Sequence, residues 1–321
     1  MSSLLVGVLS ALVATNPAAA ASNFVAQTTG LSVAVPDPND PVARELKKVM
    51  DDDDAAQAEV DGWIRENTEF AAKGAGVPQK EMRARILKRF EPIRKAYAGF
   101  VERHPDNAKG RVAYASFLHD LGDEEGEVEQ LEKARTLDPK DPAIWNNLAN
   151  YYGHEGELTN AFVHYEKAIE LNPLEPVYYH NFGTTVYLYR KDVREYYHLT
   201  EQQVFDKALG LYAKSLQLDP TNFPLATDVA QTYYGIRPLR TNEALMAWTN
   251  TLSIAHDELE REGIYIHLAR VKISVGRFAE AQAHLNAVTN DAYAELKKRL
   301  TRVLAEKQDP TNNAPVVGAR K

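Results

Sequence analysis

The sequence contains few residue patterns that could support catalysis. Nine histidines are present, but none stands in a His-Glu-x-x-His arrangement or at a metal-ligand spacing, and the chain has no cysteine. A thiol nucleophile is therefore absent, and no Gly-x-Ser-x-Gly motif provides a serine nucleophile. The pairs Glu124–Glu125 and His154–Glu155 fall at predicted turns, where solvated polar residues are ordinary. Carboxylates from distant segments could still assemble, but the sequence favours a non-enzymatic protein with no cofactor and no metal.

Charge disfavours nucleic acid as a partner. The net charge is −8 and the isoelectric point is about 5.7, whereas binding to phosphates depends on an excess of Lys and Arg. The run Asp51 to Asp54 could be considered as a metal site. We interpret it instead as the solvated start of a helix that begins near Ala55, because the helix dipole favours acidic residues there.

Regular proline spacing predicts the elements that position the remaining residues. Pro105, Pro139 and Pro173 stand 34 residues apart, a period typical of a two-helix repeat that must stack on its neighbours. In the middle copy, apolar and small residues recur every three or four positions up to Tyr152, and Gly156 then breaks the helix. Asp141 followed by Pro142 predicts an N-cap and a first helical residue.

The middle copy resembles a tetratricopeptide repeat (TPR). The matching residues are Trp145, Leu148, Ala149, Tyr152, Gly156, Ala161, Tyr165, Ala168 and Pro173. The preceding copy departs from the pattern at Arg111, where Trp is usual, and at Glu127, where Ala is usual. The resemblance implies an all-α fold, a right-handed helical-hairpin solenoid (TPR superhelix) of about five repeats with N- and C-terminal capping helices. It also implies a scaffold that binds proteins or peptides.

One repeat carries an insertion. Pro220 follows Pro173 by 47 residues, 13 more than the period. Ala208 and Tyr212 keep the register with Pro220, which places the extra residues between the two helices, at about 190–203. Thr200 with Gln203 forms a capping-box pattern and predicts the start of the second helix there.

These features divide the chain into five segments. We predict a signal peptide over 1–21, an extended linker over 22–40, divergent N-terminal helices over 41–104, the repeat array over 105–308 and a disordered tail over 309–321. Within the N-terminal helices, Pro92 is expected to divide the helical stretch 81–103.

The N-terminal residues favour export. Leu4 to Ala14 is an apolar run of signal-peptide length, and Ala18 to Ala21 provides small residues for cleavage, although no positive charge precedes the run. The run is too short to cross a bilayer, so we predict no integral membrane span. The expected location is periplasmic or secreted. A cytoplasmic protein with an apolar tail is the alternative.

The resemblance to TPR proteins identifies candidate binding residues. In such arrays the first helix of each pair lines the concave face, and Trp145 is a packing position on that helix. In each repeat, the residues one and five positions after the equivalent of Trp145 are expected to face the groove. Together with one neighbouring Asn, these candidates include Asn146, Asn150, His180, Asn181, Thr184, Thr227, Gln231 and Arg270. Asn and Gln side chains can pair with both the N–H and the C=O of an extended peptide. The expected partner is therefore a protein or a peptide.

Chaperone-binding members of the family resemble one another in a cationic clamp that holds a C-terminal carboxylate. Asn146, Asn150 and Asn181 match the Asn positions of that clamp loosely. The cationic positions hold Val112, Val177 and Pro224. Because a buried carboxylate would then lack a cation, the sequence predicts no such clamp.

Tyrosine is enriched in the centre of the chain. Twelve of the sixteen tyrosines lie between Tyr151 and Tyr234. Tyr189, Tyr196 and Tyr197, in or beside the insertion, have no assigned packing role in the repeat, so they either contact a partner or pack over the insertion. Two functions therefore remain open. The favoured one is an exported adaptor whose Tyr-rich insertion adds specificity, and the alternative is a structural or self-associating module of an envelope assembly.

Overall fold

The computed structural model describes residues 40–72 and 74–308, and this part of the chain is helical without a strand. Its α-helices are α1 (Pro41–Ala72), α2 (Gln79–Arg103), α3 (Ala108–Leu121), α4 (Glu124–Leu137), α5 (Pro142–Glu155), α6 (Leu158–Leu171), α7 (Pro176–Leu188), α8 (Arg190–Tyr197), α9 (Glu201–Leu218), α10 (Phe223–Thr232), α11 (Thr241–Ser253), α12 (Glu258–Ser274), α13 (Phe278–Ala287) and α14 (Ala294–Gln308). Short 3₁₀ helices span Tyr233–Gly235 and Asp291–Tyr293. The all-α prediction is confirmed. The predicted signal peptide, most of the linker and the tail lie outside the described residues.

The helices form pairs within two compact units, Met1–Leu218 and Asp219–Lys321. The first unit contains the pairs α3/α4, α5/α6 and α7/α9, preceded by α1 and α2. The second unit contains α10/α11 and α12/α13, followed by α14. Five pairs flanked by additional helices confirm the expected helical-repeat organisation.

Local sequence signals set the ends of the helices. The Asp141 side chain accepts a hydrogen bond from the backbone N–H of Ala143 at 2.9 Å, and Pro142 is the first residue of α5. Gly122 and Gly156 end α3 and α5 in the left-handed conformation, with φ of 72° and 81°. Side chains other than glycine rarely adopt this conformation. The repeated glycine therefore terminates the first helix of each of these pairs.

Close helix packing explains two further glycines, one in α3 and one in α7. A Cβ atom on Gly110 would lie 2.2 Å from the ring of Phe100, which is fully buried. A Cβ atom on Gly183 would lie 2.9 Å from the ring of Tyr212. Both distances are shorter than van der Waals contact, so a larger residue would force the helices apart.

The N-terminal helices differ from two expectations. Helix α2 is continuous through Pro92, which lies on an exposed face while Phe90, Ile93, Tyr97 and Phe100 are buried. The proline removes a single hydrogen bond, and burial of the opposite face keeps the helix intact. The expected division there is wrong.

The acidic run is likewise placed differently from expectation. Helix α1 begins at Pro41, so residues 51–54 lie in its middle rather than at its start. Asp53 follows Leu46 and Val49 on the helix face that packs in the core, and its side chain is 2 % exposed. The prediction that a helix begins near Ala55 is therefore wrong, and Asp53 is buried rather than solvated.

The insertion forms a short helix of its own. Helix α8 occupies its first part and presents Val193 to the interior. The capping box is confirmed: the backbone N–H of Thr200 donates to Oε1 of Gln203 at 2.8 Å, and α9 begins at Glu201. The backbone N–H of Gln203 returns a bond to Oγ1 of Thr200 at 3.4 Å.

One buried carboxylate fixes the end of the second unit. Glu262 on α12 is 2 % exposed. Its carboxylate accepts hydrogen bonds from the backbone N–H groups of Thr289 and Asn290 at 2.9 and 2.7 Å and from the Thr289 hydroxyl at 2.7 Å. Burial alone would raise the pKa of Glu262, but these donors outweigh it and lower the pKa. The ionised side chain therefore ties α12 to the loop that precedes α14.

Candidate binding surfaces

Two of the candidate asparagines bond to each other between α5 and α7. Asn146 is fully buried, and its Oδ1 accepts a hydrogen bond from Nδ2 of Asn181 at 3.2 Å. The expectation that Asn146 faces an open groove is therefore wrong. Asn146 lies beneath the surface that α5 and α7 form, whereas Asn181 remains partly exposed.

A second asparagine is oriented by a buried tyrosine. The hydroxyl of Tyr165, on α6, donates to Oδ1 of Asn150 at 2.6 Å and accepts a hydrogen bond from the Thr185 hydroxyl at 3.1 Å. Burial raises the pKa of Tyr165, so it stays protonated and can donate. The amide nitrogen of Asn150 makes no hydrogen bond to the residues that the structure describes, and the side chain is partly exposed. Asn150 therefore presents a donor to the surface.

Two further candidates lie on α7 against α9. The hydroxyl of Tyr212 donates to Oγ1 of Thr184 at 3.1 Å, and the His180 ring lies 5.9 Å from the Tyr212 ring. His180 and Thr184 are both partly exposed. Because Thr184 accepts this bond, its own hydroxyl hydrogen can point outward. We call Asn150, His180, Asn181 and Thr184 the α5–α7 surface.

The tyrosines of the insertion pack against α6. The rings of Tyr196 and Tyr197 lie 5.3 and 5.6 Å from the ring of Phe162. The Tyr197 hydroxyl donates to Glu166 at 2.6 Å, and Nζ of Lys207 lies 4.1 Å from the Tyr197 ring centre. Tyr196 is 38 % exposed. Tyr197 therefore holds the insertion in place, while Tyr196 keeps a surface that a partner could contact.

Tyr189 stands where α7 meets α8. It is partly exposed and lies in a shallow depression of about 350 Å³ whose lining includes Leu188, Arg190 and Arg194. Leu188 is 60 % exposed. Contact of Tyr189 with a partner stays a prediction.

The three candidates in the second unit differ in exposure. Thr227 is 7 % exposed, and its hydroxyl makes no hydrogen bond to the described residues. The expectation that Thr227 faces an open groove is therefore wrong, because the side chain is enclosed within the packing of α10. Gln231 and Arg270 are exposed, as predicted.

An aromatic cluster that the sequence did not reveal supports Arg270. The Arg270 guanidinium lies 4.2 Å from the ring centre of Tyr234, and Tyr234 contacts Trp248 and His267. The Trp248 and His267 rings stack at 4.1 Å, and the Tyr234 hydroxyl lies 3.0 Å from Nδ1 of His267. Burial, with a smaller effect of Arg270, lowers the pKa of His267 to about 4, so the ring is neutral near pH 7. We call Tyr234, Trp248 and His267 the aromatic platform.

The buried acid of α1 faces two other helices. The hydroxyl of Tyr97, on α2, donates to Oδ2 of Asp53 at 3.0 Å, whereas Oδ1 has no hydrogen-bond partner among the described residues. Burial raises the pKa of Asp53 to about 7, and the charges of Asp120 and Asp54 act in the same direction. Burial also raises the pKa values of Asp54 and Asp120 to about 6. Burial thus favours the protonated form of each of these three carboxyl groups.

The described residues, 40–72 and 74–308, contain no group of three or more His, Cys, Asp or Glu side chains placed to hold a metal ion. None of their helices is both long and apolar enough to cross a membrane.

Comparison with known proteins agrees with the repeat architecture. Residues 142–173 match the family model of the tetratricopeptide repeat. A protein of Haemophilus influenzae, described as uncharacterized, is 35 % identical over 82 residues, which are 25 % of this chain and 45 % of that protein. The match thus spans less than half of that relative's length.

Solved structures are similar in fold at low identity. The crystal structure of PilW, a widely conserved type IV pilus biogenesis factor, has a TM-score of 0.52 at 13 % identity, covering 75 % of this chain and 98 % of PilW. YrrB, a TPR protein with an unusual peptide-binding site, has a TM-score of 0.47 at 13 % identity, covering 65 % of this chain and 99 % of YrrB. Identity at this level establishes the fold alone. The chain is thus an all-α helical-repeat protein that carries a tetratricopeptide repeat at 142–173.

Proposed function

We propose that the protein is a non-enzymatic adaptor that binds an extended segment of a partner protein on the α5–α7 surface. The observation that carries the proposal is the orientation of its polar groups. Oδ1 of Asn150 and Oγ1 of Thr184 each accept a bond from a tyrosine hydroxyl of the protein. The amide nitrogen of Asn150 and the hydroxyl hydrogen of Thr184 then remain as donors. Backbone carbonyl groups of an extended peptide are acceptors that fit such donors.

A substitution at Asn150 can separate recognition from stability. Asn150→Asp keeps an oxygen that accepts the Tyr165 bond but removes both amide hydrogens. Peptides selected from a random display library on the full chain should bind this variant at least roughly tenfold more weakly, since a lost donor leaves a desolvated carbonyl unpaired. Asn250→Asp, at an exposed position on α11, should leave binding unchanged. Equal binding by the Asn150 variant would show that the α5–α7 surface is not the recognition site.

The insertion is proposed to add specificity through Tyr189 and Tyr196. Both keep exposed surface next to helices of the same unit. Tyr196→Ala should then alter which peptides are selected without a large change in melting temperature, because the ring is partly exposed. If the set of selected peptides stays the same, the insertion has only a structural role.

Export is proposed from the N-terminal sequence alone. The apolar run and the small residues up to Ala21 lie outside the described residues. Mass spectrometry of the N-terminus of the protein from its native host should find a mature chain that starts near residue 22. A chain in the cytoplasmic fraction that retains residues 1–21 would support the cytoplasmic alternative.

A further inference from the structure

Arg270 is one of the arginines of the described residues that lie over an aromatic ring and have no carboxylate partner. Arg89, Arg103 and Arg277 each bond a carboxylate. Arg270 is exposed, and no carboxylate of the described residues lies within 4.0 Å of it. Its guanidinium rests on the face of Tyr234 instead. An exposed arginine that is ordered by an aromatic ring rather than by an acid keeps its hydrogen-bond donors available.

The aromatic platform fixes that guanidinium in place. Tyr234 is held between Trp248, which is fully buried, and His267, whose Nδ1 lies 3.0 Å from the Tyr234 hydroxyl. A rigid support reduces the side-chain entropy that Arg270 would lose on binding. Gln231 is exposed three residues before Tyr234 in the chain.

Two guanidinium groups lie next to the platform. Burial has the largest effect on the pKa values of Tyr234 and His267, and the charge of Arg270 lowers both. His267 is neutral near pH 7 and adds no charge. A second guanidinium, that of Arg237, donates to the backbone oxygens of Tyr234 and Ile236 at 2.8 Å each. Arg237 and Arg270 thus both lie beside Tyr234, in a chain whose net charge is −8.

We propose that Arg270, held on the aromatic platform, binds an acidic side chain of the partner protein. A carboxylate matches the two parallel donors of one guanidinium, and Gln231 can donate to an adjacent carbonyl. Arg270 is not one of the cationic clamp positions, which are Val112, Val177 and Pro224. The proposal rests on the proposed function, since it names the chemistry of the partner that the adaptor binds.

The probes are two random decapeptide pools labelled with fluorescein, one with Glu and the other with Gln at the central position. Fluorescence anisotropy with the full chain should show the Glu pool binding roughly ten- to a hundredfold more tightly, as expected for a charge-assisted hydrogen bond. Arg270→Gln should remove this preference. The exposed Arg299→Gln, on α14 of the same unit, should preserve it, and melting curves should show that both variants fold.

The outcomes separate the two proposals. If neither pool binds, the adaptor function itself fails. If both pools bind equally, or if Arg270→Gln keeps the preference for Glu, the adaptor function stands and the acidic-residue site is refuted. A third pool with central phosphoserine that binds more tightly than the Glu pool, and loses this advantage in Arg270→Gln, would replace the carboxylate by a phosphate as the ligand.

Discussion

Replacing Asp53 by asparagine should remove the contribution of this side chain to the pH dependence of α1 docking. In the folded protein the pKa of Asp53 is about 7, against an ordinary value of 3.8. Between these two values the folded state binds a proton that the unfolded state has lost. The contribution of Asp53 to the free energy of unfolding therefore falls as the pH rises from about 4 to 7 and is constant above pH 7. An asparagine side chain at this position has the same shape but no proton to lose, and it can still accept the Tyr97 hydroxyl.

The size of the effect follows from the difference in pKa. Each unit corresponds to about 1.4 kcal/mol, so the full difference of about three units is worth on the order of 4 kcal/mol. The side chain is 2 % exposed, so solvent screening does not reduce this estimate. The stability of the wild type relative to Asp53→Asn should thus decrease by about this amount between pH 4 and pH 8.

Hydrogen–deuterium exchange of peptides from α1, compared at the same pH in both proteins, measures this difference locally. A local readout is appropriate because a chain with two compact units does not unfold as a single two-state system. Asp52→Asn, at an exposed position beside the buried one, is the matched control and should show little change in exchange. A difference between wild type and Asp53→Asn that is the same at pH 4 and pH 8 would refute the assignment of a buried proton to Asp53.

Five further substitutions, at four positions, test the packing and the buried hydrogen bonds. Gly110→Ala should lower the free energy of unfolding by roughly 1–3 kcal/mol, because the added Cβ contacts Phe100. In Gly62→Ala, on α1, the added Cβ meets nothing within 4 Å, so this control should raise the free energy of unfolding by up to about 1 kcal/mol. The opposite order of stabilities in urea unfolding would contradict the packing. Tyr197→Ala should destabilise the insertion by roughly 1–3 kcal/mol, and Tyr197→Phe should destabilise it by about 1 kcal/mol. If neither substitution changed the melting temperature, the packing role of Tyr197 would be refuted and partner contact would be the remaining interpretation. Glu262→Gln should lower the free energy of unfolding by about 1–3 kcal/mol at pH 7. Because folding lowers the pKa of Glu262, this loss of stability should shrink as the pH falls through the pKa of the folded state. An equal loss of stability in acid would argue against an ionised Glu262.

The fold could be predicted because its determinants are local and periodic. Pro142, Gly156 and the small residues between paired helices repeat at fixed spacing, and each acts on the backbone next to it. The Thr200–Gln203 capping box is likewise contained within four residues. The expectation for Pro92 is wrong because the exposed face of α2 tolerates a proline that a buried face would not.

The burial of individual polar residues could not be predicted in the same way. Asp53 stands in a run of four aspartates, which suggests solvent, yet Leu46, Val49, Ala56 and Val60 are buried at helical spacing around it. The helical spacing of these apolar residues is the feature of the sequence that indicates a buried position for Asp53. The burial of Asn146 depends on contacts with α7, which carries Asn181, 35 positions further along the chain. The aromatic platform joins residues that are up to 33 positions apart.

Hydrogen bonds within the protein narrow what the α5–α7 surface can recognise. The sequence alone allowed the asparagines to pair with either the N–H or the C=O of a peptide. In the structure the oxygens of Asn150 and Thr184 each already accept one hydrogen bond, from Tyr165 and Tyr212. A peptide N–H would therefore share an oxygen that already accepts a bond. A peptide carbonyl can instead pair with the amide nitrogen of Asn150, which makes no hydrogen bond to the described residues, so the buried tyrosines favour carbonyl groups as ligands of this surface.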